Sequence, residues 1–312
     1  MDRIDTFQPR HFDVILRDPD GILRDLQAAL CAFTGKRHAV LCSSGSAALY
    51  MALCASGMRG EGYIRVPAST FPAIAEACFL CGVKSSAMDA DPKTWQSRMC
   101  CDGAASPVHN YGCVPHSFGY LEGDRITDAA AAMLTPGAFD GHGTFAVSFN
   151  WNKPISGGGG GALLTDDTMT AERAEGLKRH KGEGAFNFQM PALCAAEVFS
   201  QLSEADIRRA HLQELSAAYD EELRRVGLES FPHGNTRWLT GTMLRDADAV
   251  DIATGRIFAR GYTPRRTWTP LGNRASCPGA WEIYDRGIVL PGGYTITTEN
   301  VKEICKALDG LQ

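Results

Sequence analysis

His38-Ala39-Val40-Leu41-Cys42-Ser43-Ser44-Gly45-Ser46-Ala47-Ala48-Leu49 is the stretch from which the fold can be read. The first five residues are mostly apolar and suit a short buried strand. A serine-glycine turn follows, then a helix-like run from 47 to 57. Strand, small-residue turn and helix together aim backbone N–H groups and the positive end of a helix dipole at one spot, where an anion can be held. The pattern continues on both sides. Upstream, residues 21–35 carry apolar side chains at helical spacing and stop at Gly35, a C-terminal helix signal. Downstream, strands are expected at 62–67, 84–88, 106–110, 125–128, 144–150 and 162–165, with a helix over 71–81. Five consecutive glycines, at 157–161, precede the last of these strands. Such alternation over 21–180 predicts an α/β unit, a mostly parallel sheet covered by helices.

Past Met190 the texture changes. Residues 191–226 read as one long amphipathic helical stretch with Glu and Arg interleaved on one side. β-like segments at 237–244 and 287–290 follow. A last helix, capped at Thr298, carries Val301, Ile304, Cys305 and Leu308 at apolar spacing. The expected division is a large unit over 1–200 and a small α+β unit over 201–312.

The 312 residues include 31 basic and 36 acidic side chains, a net charge of −5. Without a basic surplus no nucleic-acid partner is expected. No apolar run approaches the roughly 20 residues that span a bilayer, so no membrane partner is expected either. Asp2 and Asp5 occupy an N-terminus without an apolar core, which argues against a secretory leader and for a cytoplasmic protein. The cysteines number 11 and are scattered, many in apolar segments, as suits reduced thiols serving as small core residues. Cys78 and Cys81 have CxxC spacing but no second pair, and Cys100-Cys101 reads as a loop accident. His109 and His116 lie near Cys113 without a second half-site, so no metal is expected. No GxSxG elbow is present.

Three elements can carry chemistry. Lys153 lies just before the glycine run, among Phe149, Trp151, Pro154 and Ile155. Desolvation there would lower its pKa and make it a Schiff-base nucleophile; a surface loop lysine is the other reading. Asp128 ends an apolar strand and could hold a ring nitrogen or a metal, or cap the small-residue turn that follows. The turn at 43–46 is a phosphate cradle or an ordinary turn. Phosphate anchor, pyridinium partner and imine-forming lysine are together what pyridoxal 5'-phosphate (PLP) requires.

The chain resembles the fold type I PLP-dependent transferases, with their seven-stranded, mostly parallel sheet, and within them the DegT/StrS sugar aminotransferases. Gly35 to Val40 followed by Ser43-Ser44-Gly45-Ser46-Ala47-Ala48-Leu49, Val66-Pro67-Ala68-Ser69-Thr70-Phe71, Asp89-Ala90-Asp91-Pro92 and Val108-His109-Asn110-Tyr111-Gly112 each resemble a family segment, in family order. So do Asp128-Ala129-Ala130, Ser148 to Lys153 with its glycines, Phe186-Asn187-Phe188-Gln189-Met190, and Arg265, Trp268 and Pro270. The resemblance implies transamination from a donor such as glutamate to a carbonyl acceptor, a keto-sugar that the family draws from nucleotide-linked sugars. It implies Lys153 as the imine-forming proton shuttle and Asp128 as partner of the pyridinium nitrogen. Gly45, Ser46 and Ser148 would bind the phosphate and Phe71 would stack on the ring. Asn187 would reach the phosphate of a neighbouring subunit, which implies a homodimer with shared sites. Arg265, Arg266 and Trp268 would meet the substrate.

The chain departs from the family at Ala131, where a glutamine normally bonds the cofactor's phenolic oxygen. Trp151 replaces a small residue and is expected to tighten or reshape the pocket, and Gln189 replaces an arginine. These changes leave open a PLP-dependent lyase, dehydratase or decarboxylase acting on another substrate. A non-catalytic PLP-binding regulator is also left open. The retained Lys153 argues against the dehydratase branch.

Overall fold

The computed structural model describes residues 18–60, 62–98, 104–115, 125–181 and 183–312. Cys100, Cys101 and His116 lie outside these residues. In chain order the elements are α1 (Pro19–Thr34), β1 (His38–Cys42), α2 (Gly45–Ala55), β2 (Tyr63–Pro67), α3 (Ala73–Cys81) and β3 (Lys84–Met88). The short strands β4 (Ala90–Asp91) and β5 (Gln96–Ser97) follow, then β6 (Ile126–Asp128), β7 (Thr144–Ser148), β8 (Gly161–Thr165) and α4 (Thr168–Lys178). The C-terminal part holds α5 (Ala192–Leu202), α6 (Ala205–Arg225), β9 (Gly241–Met243), α7 (Ala247–Phe258), β10 (Arg265–Arg266), α8 (Pro278–Arg286), β11 (Gly287–Val289) and α9 (Thr298–Lys306).

The main sheet runs β1-β8-β7-β6, and β2 pairs with β3. Residues 104–109 join the two pieces. Ser106 N–H donates to Arg65 O at 2.8 Å and Asp128 N–H to Pro107 O at 2.9 Å, forming parallel bridges at Ala105 and Val108. The strand expected over 106–110 is thus reduced to two bridges, because Pro107 has no N–H with which to extend a ladder. β6–β7 and β2–β3 are parallel, whereas β8 runs antiparallel to both of its neighbours.

Burial on both faces explains why these strands read as apolar runs rather than as alternating ones. Ala39 and Leu41 of β1, Phe145 and Val147 of β7, and Leu164 of β8 enter one core, with α1 and α5. Val40, Ala146 and Leu163 point the other way, into a core filled by α2, α3 and α4. Each fully buried Leu or Phe contributes about 1.5–3 kcal/mol. Helix α2 is apolar nearly all round, so most of it sits inside, between the sheet and α3.

The stretch 191–226 is two helices rather than one. Ser203 N–H and Glu204 N–H make three-residue turns back to Ser200 O and Gln201 O and end α5. Helix α6 then runs from the first core, at Ala205 and Leu212, into a separate core at Leu215, Tyr219 and Leu223. That core is closed by α7, α9 and the antiparallel sheet β10-β11-β9. The strand expected at 237–244 begins only at Gly241, because Trp238 N–H is drawn to Tyr111 O at 2.7 Å. The last helix is capped one residue earlier than expected, by Thr297, in a reciprocal box with Asn300. No helix among the described residues is long and apolar enough to cross a membrane.

Candidate active site

Since β1, β7, β6, β2 and the 104–109 segment all run in one direction, their C-terminal ends meet along one edge of the sheet, where open α/β sheets place their ligands. A cavity of about 410 Å³ opens there. The strand ends supply Ser43 and Gly45 (after β1), Thr70 and Phe71 (after β2), Asn110 and Tyr111, Asp128, and Ser148 and Lys153 (after β7). The start of the antiparallel β8 brings Gly159 and Gly160 to the same edge.

The glycine run is explained by close backbone approach. A Cβ on Gly161 would lie 2.5 Å from the carbonyl carbon of Ser44, and one on Gly157 2.6 Å from Cys194 O. Gly160 has φ +100°, open to glycine. The run folds back so that Phe149 N–H donates to Gly160 O and Gly157 N–H to Phe149 O, which fixes the loop bearing Lys153. Gly45 obeys the same rule, since an added Cβ would meet Ser148 Cβ at 2.7 Å. The N-terminus of α2 is therefore pressed against Ser148. Ser44 caps it, accepting from Ala47 N–H at 3.1 Å, and Ser46 stands exposed at the wall of the cavity.

Asp128 is 5% exposed and accepts the Ala130 N–H at 2.9 Å. It caps a turn; no helix follows it before Thr144 among the described residues. Burial pushes its carboxyl above the ordinary range, while the Ala130 amide and the Lys153 charge pull it back. Lys153 is half-buried in the cavity wall rather than on the outer surface. Burial pulls its ammonium pKa down, Asp128 opposes that, and the Arg265 charge adds to it. His109 donates from Nε2 to Ala138 O at 2.9 Å, and burial lowers its pKa to about 4, so this imidazole is neutral near neutral pH.

Of the residues expected from sequence, Gly45, Ser46, Phe71, Asp128, Ser148, Lys153, Arg265 and Trp268 share this cavity. Arg266 does not. In a strand successive side chains take opposite faces, and Arg266 pairs with Asp251 at 2.7 Å, against α7. Asn187 is exposed and stays off its own chain's cavity, accepting Gln189 N–H at 3.4 Å. Trp151 does not tighten the pocket: it is 67% exposed and outside the lining. Phe71, 52% exposed, is no core aromatic. It meets Trp268 edge-on at 6.4 Å, and Trp268 stacks on Tyr111 at 4.7 Å.

Thr70, Asn110, Tyr111, Asn152 and Trp238 were not singled out from sequence. Thr70 Oγ1 donates to Asn110 Oδ1 at 3.0 Å, and Asn110 Nδ2 to Ser69 O at 2.7 Å, tying two strand ends together. Tyr111 has φ +57°, unusual for a residue with a side chain. Its hydroxyl and Asn152 Oδ1 are buried without a hydrogen-bond partner among the described residues. The signal for the first three was their place within the Val66 to Phe71 and Val108 to Gly112 segments; for Trp238 there was none.

This architecture is that of the fold type I transferases. The sequence profile of the DegT/DnrJ/EryC1/StrS aminotransferase family matches residues 22–100 and 126–309, and the chain belongs to that family. GDP-perosamine synthase of Escherichia coli O157:H7 is 26% identical over 312 residues, covering 88% of this chain and 85% of that protein. GDP-perosamine synthase of Caulobacter vibrioides is 29% identical over 235 residues, covering 65% of this chain and 62% of its own length, so the match spans less than two thirds of that relative. Among solved structures, NtdA from Bacillus subtilis with bound cofactor PMP superimposes with a TM-score of 0.79 at 18% identity, over 95% of this chain and 80% of that one.

Proposed function

We propose that the protein is a PLP-dependent aminotransferase, moving an amino group from a donor such as glutamate to a keto-sugar carried on a nucleotide. The observation that carries this reading is the meeting of Lys153 and Asp128 in one cavity floored by the N-terminus of α2. Family membership and the names of the relatives support it.

The residues fit the cofactor. A buried carboxylate raised by desolvation is stabilised once a protonated ring nitrogen pairs with it. A phosphate at the α2 N-terminus would meet Gly45, Ser46 and Ser148, where no Cβ intrudes at 45. When bound, PLP supplies a carbonyl that takes up amines and a ring that spreads negative charge. Lys153 Nζ would supply the amine that holds the cofactor and would later carry the proton. Asp128 would keep the ring nitrogen protonated, and Phe71 would pack against the ring. Arg265 and Trp268 face the acceptor.

Asn187, exposed and outside its own cavity, supports a homodimer in which it serves the neighbouring site. The separate C-terminal core supports a cofactor unit over 1–200 and a smaller unit over 201–312. The described cysteines are free thiols, in keeping with a reducing, cytoplasmic setting.

The test is a pair of half-reactions. Isotope-labelled glutamate added to the yellow, PLP-loaded protein is expected to bleach it with release of one equivalent of keto acid. A nucleotide-linked keto-sugar added next is expected to restore the colour and carry away the label. Bleaching without keto acid, or label that never reaches a sugar, defeats the reading.

Arg265 gives a pH prediction. Only the neutral amine of Lys153 attacks the PLP carbonyl, so cofactor uptake rises with pH through the lysine's pKa. Arg265 lowers that pKa. Arg265→Gln therefore raises it, and the uptake profile moves to higher pH. An unmoved profile, or one displaced to lower pH, contradicts the electrostatic coupling.

A further inference from the structure

At the ends of α2 and α3 remote from the cavity, two cysteines meet. Cys54 Sγ and Cys81 Sγ are 3.5 Å apart, although 27 residues separate them. Cys81, 3% exposed, sits in the last turn of α3, and its thiol also points at Tyr50 O, 3.7 Å away. Cys54, in the last turn of α2, is partly open to solvent. The loop between the two helices holds the pair in register, with Gly60 N–H donating to Cys81 O at 3.0 Å.

We propose that Cys54 and Cys81 form an oxidative modification site, at which a peroxide converts the two thiols into a disulfide joining the C-terminal ends of α2 and α3. The sulfurs, 3.5 Å apart, have to close by about 1.5 Å to reach disulfide bonding distance. Cys54 is the attacking sulfur. It is the more exposed of the two, and the Cys81 thiol, as hydrogen-bond donor, pulls its pKa down, with the Arg59 charge acting in the same direction, against burial. Cys81 is shifted upward by that same hydrogen bond and by burial, so it stays protonated. An accessible thiolate beside a resolving thiol is the arrangement of redox-responsive cysteines. In a reducing compartment such a bond forms transiently, under an oxidant.

The step balances. The Cys54 thiolate attacks one peroxide oxygen, the O–O bond breaks, and hydroxide leaves and takes up a proton to give water. The resulting sulfenic acid is attacked by the Cys81 sulfur. The S–S bond forms, the S–O bond breaks, and the sulfenic hydroxyl leaves with the Cys81 proton as a second water. The thiol pair loses two electrons, and the peroxide is reduced to two waters.

The site is placed to be felt at both ends of α2. Its first residues are the phosphate cradle, about 12 Å away along the axis at 1.5 Å per residue. Tyr50, one turn before Cys54, donates to Gly184 O at 3.0 Å and meets the Phe188 ring, 5.6 Å between centroids, in the segment that carries Asn187.

The experiment uses the PLP-loaded protein with stoichiometric hydrogen peroxide, thiol titration, and peptide mapping without reductant. Loss of two thiols, a linked peptide pair containing Cys54 and Cys81, and full reversal by dithiothreitol are expected. Cys54→Ser and Cys81→Ser should each abolish the link, while Cys78→Ser should leave it intact. A disulfide between other cysteines, over-oxidation of Cys54 with Cys81 still free, or no thiol loss overturns the proposal. Retained PLP colour in each serine variant establishes that it is folded.

Discussion

Lys153→Ala protein is expected to take up PLP without turning yellow and to transfer no amino group. The reason lies in the position of Nζ. It is held in the cavity wall by the loop that the glycine run clamps, in electrostatic contact with Asp128. Among the described residues, no other lysine lines this cavity. Proton transfer by a positioned group alone contributes about 10²–10⁴-fold, and covalent attachment of the cofactor is lost as well. Lys153→Arg is the sharper variant. It keeps a cation opposite Asp128, so folding is not in question, yet guanidinium stays protonated and cannot attack a carbonyl. Visible absorbance and single-turnover transfer are the measurements. Colour or turnover surviving in either variant would remove Lys153 from the chemistry.

Asp128→Asn is expected to bind PLP and to lose on the order of 10²–10³-fold in kcat, the typical effect of removing one preorganised electrostatic group. The amide can still accept the Ala130 N–H, so the turn survives and the deficit reports charge alone. A second readout comes from unfolding of the cofactor-free protein. Burial raises the Asp128 pKa in the folded state above its ordinary 3.8. The folded chain thus binds the proton more tightly than the unfolded one, and stability from this group is lost as pH rises from that value through the folded pKa. Asp128→Asn removes this loss, so its unfolding midpoint should gain on wild type as pH rises through that window. Undiminished kcat, with parallel stability profiles, would reduce Asp128 to a turn cap.

Much of this was legible in the sequence because it rests on local rules. The α2 cradle follows from apolar spacing and a serine-glycine turn, and the glycine run announces close backbone contacts. The two-faced cores explain the apolar strands. What was not legible depends on three-dimensional neighbours. Arg266 and Arg265 are adjacent and chemically alike, and only the strand's alternation sends one to the cavity and the other to Asp251. Trp151 is beside the lysine in sequence, but its indole leaves the pocket. The break between α5 and α6 hides in a continuous amphipathic pattern, where two three-residue turns at Ser203 and Glu204 interrupt it. Trp238 reaches the cavity through one bond to Tyr111, far away along the chain.

The aromatic column Phe71, Trp268, Tyr111, Trp95 and Phe231 joins pieces of chain far apart in sequence. The groups proposed to hold the cofactor come from 45–153, whereas the wall facing them, with Trp238, Leu239, Arg265 and Trp268, comes from 238–268. With the acceptor placed against the second stretch, as proposed, a change there would alter which acceptor is admitted without disturbing the residues proposed to handle the amino group. On that proposal, the choice of acceptor and the amino-group chemistry are set by separate stretches of chain and can be altered one without the other.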